Sequence, residues 1–260
     1  AVRTVQNQLR NALNQQVEGV SAAYNTLSKI GVAFQKDGSL LVDSSKLQTA
    51  TTNGFNDVVS LLSNFGTATD TLIKYSSATT STKAGTYDVA ISSLASKGSA
   101  VGSAVTTSTG VGITAGVNDS LTVTLDNITS TVTLAAGNYS TLDALTAEIQ
   151  SKINGASAFR DASSTLAITG TGSVGTGGAS SSFTLTATSN RYGSTSNVNL
   201  SGSAFSTLFG AGALTTTAGV DVAGTIGGFA ATGSGQKLTA NTGPAAGLAL
   251  TITGGTAPAD

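Results

Sequence analysis

Two stretches that lie far apart in the sequence share a two-residue alternation of apolar and polar side chains. Within residues 85–103, Tyr87, Val89 and Ile91 alternate with small or polar residues. A similar alternation returns in residues 220–226. This period is typical of β-strands that bury one face. We therefore expect the two stretches to form strands of one sheet, with a separate module inserted between them.

The start of the chain follows a helical period instead. Apolar side chains recur there in steps of three and four, which places them on one face of an α-helix. Gly19 interrupts the pattern and predicts a kink or a break between two helices. We interpret the stripe as a packing surface for a neighbouring helix or sheet, and the alternative is a peptide that binds in a groove of another protein. The stripe consists of Val2, Val5, Leu9, Leu13, Val17, Val20, Tyr24 and Leu27.

A hairpin signal and a helix-start signal follow the stripe. Asp37 and Gly38 stand between two apolar runs, which is the strongest short-range signal for a β-hairpin. Asp43 precedes a helical stretch and is a candidate N-cap. The pair Asn53 and Gly54 then interrupts the chain, so we expect a second short helix after it.

The middle of the sequence predicts a linker and then an α/β module. Residues 66–84 are rich in Ser and Thr without any period, which favours a linker. Residues 110–216 contain two strand patterns, one helix pattern and two further strand patterns. Leu145 and Ile149 lie on one face of that helix. Its start near Ser140 resembles a capping box.

The composition restricts the class of protein. Charged residues make up 10% of the chain and the net charge is −1, so no basic surface for a nucleic acid is expected. No apolar run is long enough to span a bilayer, and we expect no membrane partner. The chain is 39% hydrophobic and contains 32 Gly, which fits many short strands with small side chains.

Catalytic chemistry finds little support in the sequence. The absence of Cys and His removes thiol nucleophiles, zinc–thiolate sites and Ser-His triads. Residues 170–175 match a dinucleotide fingerprint by letter, but no amphipathic helix follows to bind a pyrophosphate. The carboxylates are scattered, so a hydrolase is disfavoured. We expect no enzyme activity, no cofactor and no metal site.

Several short motifs occur in an order and at spacings known from one protein family. They begin at Val2, Ile30, Lys36, Asp43 and Phe55, and continue in the strand around Tyr87 and in the closing strands after Asp221 and Gly247. Together they resemble the bacterial flagellar filament cap family, also called hook-associated protein 2. Residues 110–216 resemble the flagellin-hook module of axial flagellar proteins. The family-like structural positions are Asp37, Gly38, Tyr87, Gly224, Ile226, Gly235 and Leu248.

The resemblance implies a non-enzymatic structural role. A cap of this family forms a homo-oligomeric ring at the tip of the flagellum and promotes the folding and insertion of flagellin. Its implied partners are further copies of itself, flagellin, and either hook–filament junction proteins or a host surface. The implied location is extracellular, after export without a cleaved signal peptide, and the chain is interpreted as a central piece of a longer protein. The alternative is a bacterial surface adhesin built of β modules, which would not need a helical segment at its start.

The expected fold class is α+β, with mainly-β head domains of short antiparallel strands and one helix, joined to a helical leg segment that contains a hairpin. The leg segment is expected over residues 1–65 and the linker over residues 66–84. The β head domain is expected over residues 85–109 and 217–260. The flagellin-hook-like module is expected over residues 110–216, inserted into the head domain.

Overall fold

The structure of the chain is a computed structural model that describes residues 8, 11, 13–17, 20–35, 37–62 and 65–253. Antiparallel strands dominate it and helices are few, which confirms the α+β, mainly-β class. The strands are β1 (Val32–Phe34), β2 (Leu40–Val42), β3 (Ile73–Ser77), β4 (Val89–Ser93), β5 (Lys97–Val101), β6 (Val105–Thr107), β7 (Val111–Ile113), β8 (Ser120–Leu125), β9 (Ile128–Thr133), β10 (Gly137–Tyr139), β11 (Leu166–Gly172), β12 (Ser181–Tyr192), β13 (Val198–Ser201), β14 (Thr215–Thr217), β15 (Ala223–Ile226), β16 (Phe229–Ser234), β17 (Lys237–Ala240) and β18 (Ala249–Ile252). Among the described residues, the helices are α1 (Ser44–Leu62), α2 (Leu142–Gly155), α3 (Ser157–Asp161) and α4 (Phe205–Phe209), and residues 8, 11, 13 and 14 are also helical.

The predicted hairpin and helix start in the leg segment are both present. Strands β1 and β2 pair antiparallel across the turn that contains Asp37 and Gly38. The Asp43 side chain caps α1, because its Oδ1 accepts the backbone N–H groups of Ser45 and Lys46, each at 3.1 Å. The local sequence therefore determines this part of the fold.

The helix predicted at the start of the chain is wrong in its second half. Residues 20–31 form turns and bends rather than helix. The chain folds back on itself, since the Val17 N–H donates to the Asn25 carbonyl at 2.9 Å and the Ser28 N–H donates to the Leu13 carbonyl at 3.3 Å. In this stretch the Thr26 hydroxyl lies 3.2 Å from the Ser28 hydroxyl and accepts the Lys29 N–H at 3.4 Å, and such local side-chain hydrogen bonds compete with helix formation.

Helix α1 is interrupted at Gly54, as the sequence predicted, and two helical stretches meet there across a kink. Gly54 has non-helical angles, with φ −154° and ψ 52°, inside the helix. The Tyr24 ring occupies the space beside it, and a Cβ at position 54 would lie 2.6 Å from the Tyr24 Cε2. The Tyr24 ring therefore packs against the helix at the kink, where any side chain larger than that of glycine would collide with it.

Residues 97–217 form the larger β unit, which we call the inserted body. One sheet runs in the order β11-β12-β5-β14, with β6 also paired to β12. A second sheet has the order β13-β8-β9, and β7 pairs with β10. The core between these sheets and α2 contains, among its fully buried side chains, Phe159, Phe183, Phe209, Leu121, Leu145, Ile149 and Ile153.

Helix α2 buries the face that its sequence predicted. Leu145 and Ile149 are both completely buried in the core of the inserted body. The N-cap is Thr141 rather than Ser140, because the Thr141 hydroxyl accepts the Ala144 N–H at 3.3 Å. The helix therefore begins one residue later than predicted, and the reciprocal bond of a capping box is absent because the residue at N3 is Ala144.

Residues 73–95 and 220–253 form a second unit, which we call the flanking body. Its six strands follow the order β3-β18-β17-β16-β15-β4. Val89 of β4 pairs with Ile226 of β15, so the two alternating stretches do lie in one sheet. Its core is a separate hydrophobic cluster that shares no residue with the core of the inserted body.

The observed units differ from the predicted boundaries at two places. The segment predicted as a linker, residues 66–84, contains β3, whose Ile73 pairs with Ile252 of β18. The sequence did not predict this strand, because the polar residues Lys74, Ser76 and Ser77 on its exposed side resemble those of a linker. The region predicted as head, residues 85–109, contains β5 and β6, which pair with β12 of the inserted body. Alternation alone does not tell which sheet a strand joins.

Candidate functional site

The predicted leg stripe is divided by the structure. Val2, Val5 and Leu9 lie outside the described residues. Leu13 and Val20 are buried at the start of the described leg segment. A single helical face is therefore not the arrangement of this stripe.

The rest of the stripe lies near or against α1. Tyr24 and Leu27 pack on a small cluster formed by Ile30, Ala50 and Val58. Val17 is half-buried and lies in the segment that folds back on itself. Part of the stripe thus stabilises the leg segment itself, and its role in contacts with other molecules stays a prediction.

The β1–β2 turn is a tight, solvent-exposed structure. The Asp37 Oδ1 accepts the Ser39 N–H at 3.0 Å and the Ser39 hydroxyl at 2.7 Å. These hydrogen bonds, the backbone one first, lower the pKa of Asp37 below its usual value. Gly38 takes a left-handed conformation with φ 93°. These two family-like positions therefore shape the hairpin.

The leg segment exposes several large apolar side chains to solvent. Leu40, Leu41 and Val42 of β2 are 58%, 53% and 53% exposed, although neighbouring residues point to opposite faces of a strand. Phe55 and Leu62 of α1 are 61% and 62% exposed. Contiguous exposed apolar side chains favour a contact with another molecule, and Leu40, Leu41 and Val42 are adjacent in one strand. The sequence predicted an interaction surface at the earlier stripe and not at these residues, although their helical and strand spacing is visible in it.

Tyr87, Gly224 and Ile226 organise one edge of the flanking body. The Tyr87 hydroxyl donates to the Lys83 carbonyl at 2.6 Å, with the Pro244 carbonyl 3.0 Å away. Ile226 is completely buried. A Cβ on Gly224 would lie 2.3 Å from a backbone oxygen of β4, so glycine permits the close approach of the strands.

Leu248 and Gly235 serve the same body at two other turns. Leu248 packs against its core, and its carbonyl accepts the Ala240 N–H at 2.9 Å. Gly235 has φ 57° in the turn between β16 and β17. Its N–H donates to the Asp221 Oδ1 at 2.6 Å. Gly235 therefore lies where the flanking body contacts the inserted body.

Asp221 holds residues of both bodies. Besides Gly235, its Oδ1 accepts the Ser194 N–H at 3.1 Å, and its Oδ2 accepts the Ser194 hydroxyl at 2.6 Å. The hydroxyl of Ser194, then the N–H groups of Gly235 and Ser194, lower the pKa of Asp221. Nothing in the sequence alone singled out Asp221 except its place in a family-like motif.

One buried carboxylate lies in the inserted body. The Asp126 side chain is inaccessible to solvent, and its Oδ1 accepts the Ser189 hydroxyl at 2.8 Å. The Arg191 Nε lies 3.7 Å from its Oδ2, which has no hydrogen-bond partner among the described residues. The group is tied into a turn at φ 52° and is closed to substrates, so its arrangement is structural.

The described residues contain no cluster of three or more Asp, Glu, Cys or His side chains that could hold a metal ion. In the same part of the chain, no helix combines the length and the hydropathy needed to cross a bilayer. The residues that match the dinucleotide fingerprint end β11 and enter a loop before β12, without a following helix.

Comparison with known proteins gives one family match and several structural similarities. The chain is 19% identical to the D2-D3 domains of the flagellar cap protein FliD from Serratia marcescens, with a TM-score of 0.42, covering 69% of this chain and 90% of that one. It is 19% identical to the D2-D3 domains of FliD from Escherichia coli, with a TM-score of 0.46, covering 74% and 93%. For the D1-D2-D3 domains of the Escherichia coli protein, the identity is 19%, the TM-score 0.44 and the coverage 74% and 52%.

No curated protein sequence is significantly similar to the chain. The family model described as "Flagellar hook-associated protein 2 C-terminus" matches residues 1–157, which include the leg segment, the first strands of the flanking body and α2. The match spans more than half of the chain, and the chain therefore belongs to the flagellar hook-associated protein 2 C-terminus family.

Proposed function

We propose that this chain is part of a filament cap at the tip of a bacterial flagellum. The observation that carries the proposal is the family match over residues 1–157, because it includes the leg segment that an adhesin built of β modules does not need. The scattered carboxylates and the lack of His and Cys agree with a role without covalent chemistry.

In this proposal, copies of the full-length protein form a ring by repeating one heterologous contact. The exposed apolar side chains Leu40, Leu41, Val42, Phe55 and Leu62 support a contact role for the leg segment. The low charge of the chain, with 10% charged residues, agrees with contacts between subunits, because charged residues are depleted at the core of an interface.

The proposed cap retains exported flagellin at the growing end until flagellin folds and inserts. The driving free energy comes from the apolar surface that flagellin buries in the filament, so the cap needs no chemical step. Its location would be extracellular, after export without a cleaved signal peptide. Proteins of the hook–filament junction or a host surface are further proposed partners.

The test uses the bacterium that carries this protein, with its gene deleted and then restored. We expect the deletion to release unpolymerised flagellin into the medium while export continues, and the parent gene to restore filaments. A double variant with Phe55→Ser and Leu62→Ser should restore few filaments, because it removes apolar contact area from the leg segment. The control Val117→Ser changes a side chain that is 67% exposed in the inserted body and should restore filaments fully.

One result would contradict the capping role, and another would contradict only the contact role of the leg segment. Normal filaments in the deletion strain would remove the capping role. If that strain also lost attachment to surfaces, the adhesin alternative would replace it. Full restoration by the double variant would instead remove the contact role of the leg segment while leaving the capping role intact.

A further inference from the structure

The inserted body is connected to the flanking body by two chain segments that run side by side. The Ser96 N–H donates to the Val220 carbonyl at 2.9 Å, and the Val220 N–H donates to the Ser96 hydroxyl at 3.0 Å. Because the two bodies have separate cores, these paired segments alone would form a hinge.

A loop of the inserted body encloses the two crossing segments. The Gly193 N–H donates to the Ser96 carbonyl, and the Gly219 N–H donates to the Ser196 carbonyl, both at 2.9 Å. The Ser196 hydroxyl, which is completely buried, accepts the Gly98 N–H at 2.8 Å. The loop therefore contacts both the entering and the leaving segment.

Asp221 joins this loop to a turn of the flanking body. Its carboxylate accepts two hydrogen bonds from Ser194 of the inserted body and one from the Gly235 N–H of the flanking body. Hydrogen bonds to an ionised carboxylate are the stronger kind. Within the flanking body, the Val222 N–H donates to the Gly235 carbonyl at 2.9 Å, which holds the Gly235 turn beside Asp221.

The contact is close enough to require glycine on the side of the inserted body. A Cβ on Gly193 would lie 2.3 Å from the Asp221 Oδ1 and 2.7 Å from the Gly235 backbone. Gly193 also has φ 102°, a conformation that favours glycine. The backbones of the two bodies thus meet directly beside the carboxylate.

We propose that the Asp221 carboxylate locks this joint, so that the inserted body and the flanking body move as one rigid unit. The residues of the locked joint are Ser96, Gly193, Ser194, Asp221 and Gly235. Without the carboxylate, the two paired crossing segments are left as a hinge, and the inserted body can change its direction relative to the flanking body.

The test measures the distance between two spin labels by pulsed electron spin resonance. Because these 260 residues contain no Cys, Lys74→Cys on the flanking body and Thr133→Cys on the inserted body provide two unique label sites in this chain, both exposed. We expect one narrow distance distribution in the otherwise unchanged protein. Asp221→Ala should broaden it about twofold, since hinge motion replaces a fixed orientation.

Two further variants show whether the effect of Asp221→Ala is specific to the joint. Gly193→Ala leaves the carboxylate in place but forces the two backbones apart, and should broaden the distribution as Asp221→Ala does. Asp88→Asn changes an exposed carboxylate of the flanking body and should leave the distribution narrow. Circular dichroism verifies that each variant keeps its strands.

The outcomes separate clearly. A broad distribution in the protein without joint substitutions would overturn the proposal, even if a joint variant failed to fold. A distribution that stays narrow in both Asp221→Ala and Gly193→Ala would overturn it as well. A narrow parent distribution that broadens in both variants, with the Asp88→Asn control unchanged, would support it.

Discussion

Removal of the buried Asp126 carboxylate should destabilise the inserted body. Asp126 lies in the β8–β9 turn at φ 52°, where its N–H donates to the Asn197 carbonyl at 2.9 Å. Its side chain ties this turn to the end of β12 through Ser189 and faces Arg191. Asp126→Ala removes these ties and places a side chain that disfavours positive φ in the turn.

The expected loss follows from four contributions. The positive φ costs alanine about 1 kcal/mol, and the hydrogen bond to an ionised group contributes about 2 kcal/mol. Arg191 is 42% exposed, so solvent screening keeps the ion pair below about 1 kcal/mol. Removal of Oδ2, which lacks a hydrogen bond to any described residue, returns part of a desolvation penalty. The net loss should be about 2–3 kcal/mol.

Native-state hydrogen exchange measures this loss in the inserted body alone. The protection of amides in β8 and β12 should fall by about 30- to 140-fold, the equivalent of that free energy. Asp126→Gly should be more stable than Asp126→Ala, because glycine accepts the positive φ. Asp161→Ala, an exposed control at the end of α3, should change stability by less than about 0.5 kcal/mol.

Unchanged amide protection in Asp126→Ala would refute the predicted loss of stability. A glycine variant less stable than the alanine variant would refute the backbone part of the estimate. A large effect of the Asp161→Ala control would show that the assay does not report on the Asp126 site.

Three further predictions concern the leg segment and the joint. Gly54→Ala should destabilise the leg segment by about 1–2 kcal/mol, because its Cβ collides with Tyr24, but should stabilise the segment when Tyr24 is replaced by Ala. Thermal unfolding followed by circular dichroism measures both effects. Equal effects in the two backgrounds would contradict the prediction. Hydrogen bonds lower the pKa of Asp221 below its usual 3.8. The contribution of Asp221 to the joint is therefore complete above pH 3.8 and is lost as the pH falls through the lowered pKa of the folded state. A distribution of label distances that broadens already above pH 3.8 would contradict this prediction. Deletion of residues 1–30 should abolish capping and leave the sheets of both bodies folded; a deletion variant that still caps filaments would contradict the leg assignment.

Patterns confined to a few neighbouring residues predicted the fold well. The alternation around Val89 and the family-like strand around Ile226 predicted a shared sheet, and these two residues do pair. The Asp37 turn and the Asp43 cap also follow from local preferences, because their hydrogen bonds reach only two or three residues along the chain.

Apart from the pairing of Val89 with Ile226, the contacts between distant residues were not predictable in the same way. The apolar steps through Val20 and Leu27 fit a helix, but turns with local polar hydrogen bonds replaced it. The joint depends on Asp221 meeting Ser194 and Gly235, and no sequence spacing shows which loops meet. The sequence could indicate Asp221 as part of a motif, but only the structure gives its hydrogen bonds.

The central claim, that this protein caps the flagellar filament, is tested most directly by its location in the cell that makes it. Immunogold electron microscopy with an antibody raised against the inserted body measures that location on intact filaments. The account predicts gold particles at the distal tip of each filament, and no labelling in the gene-deletion strain. Labelling along the length of the filament, or on the cell body alone, would contradict it.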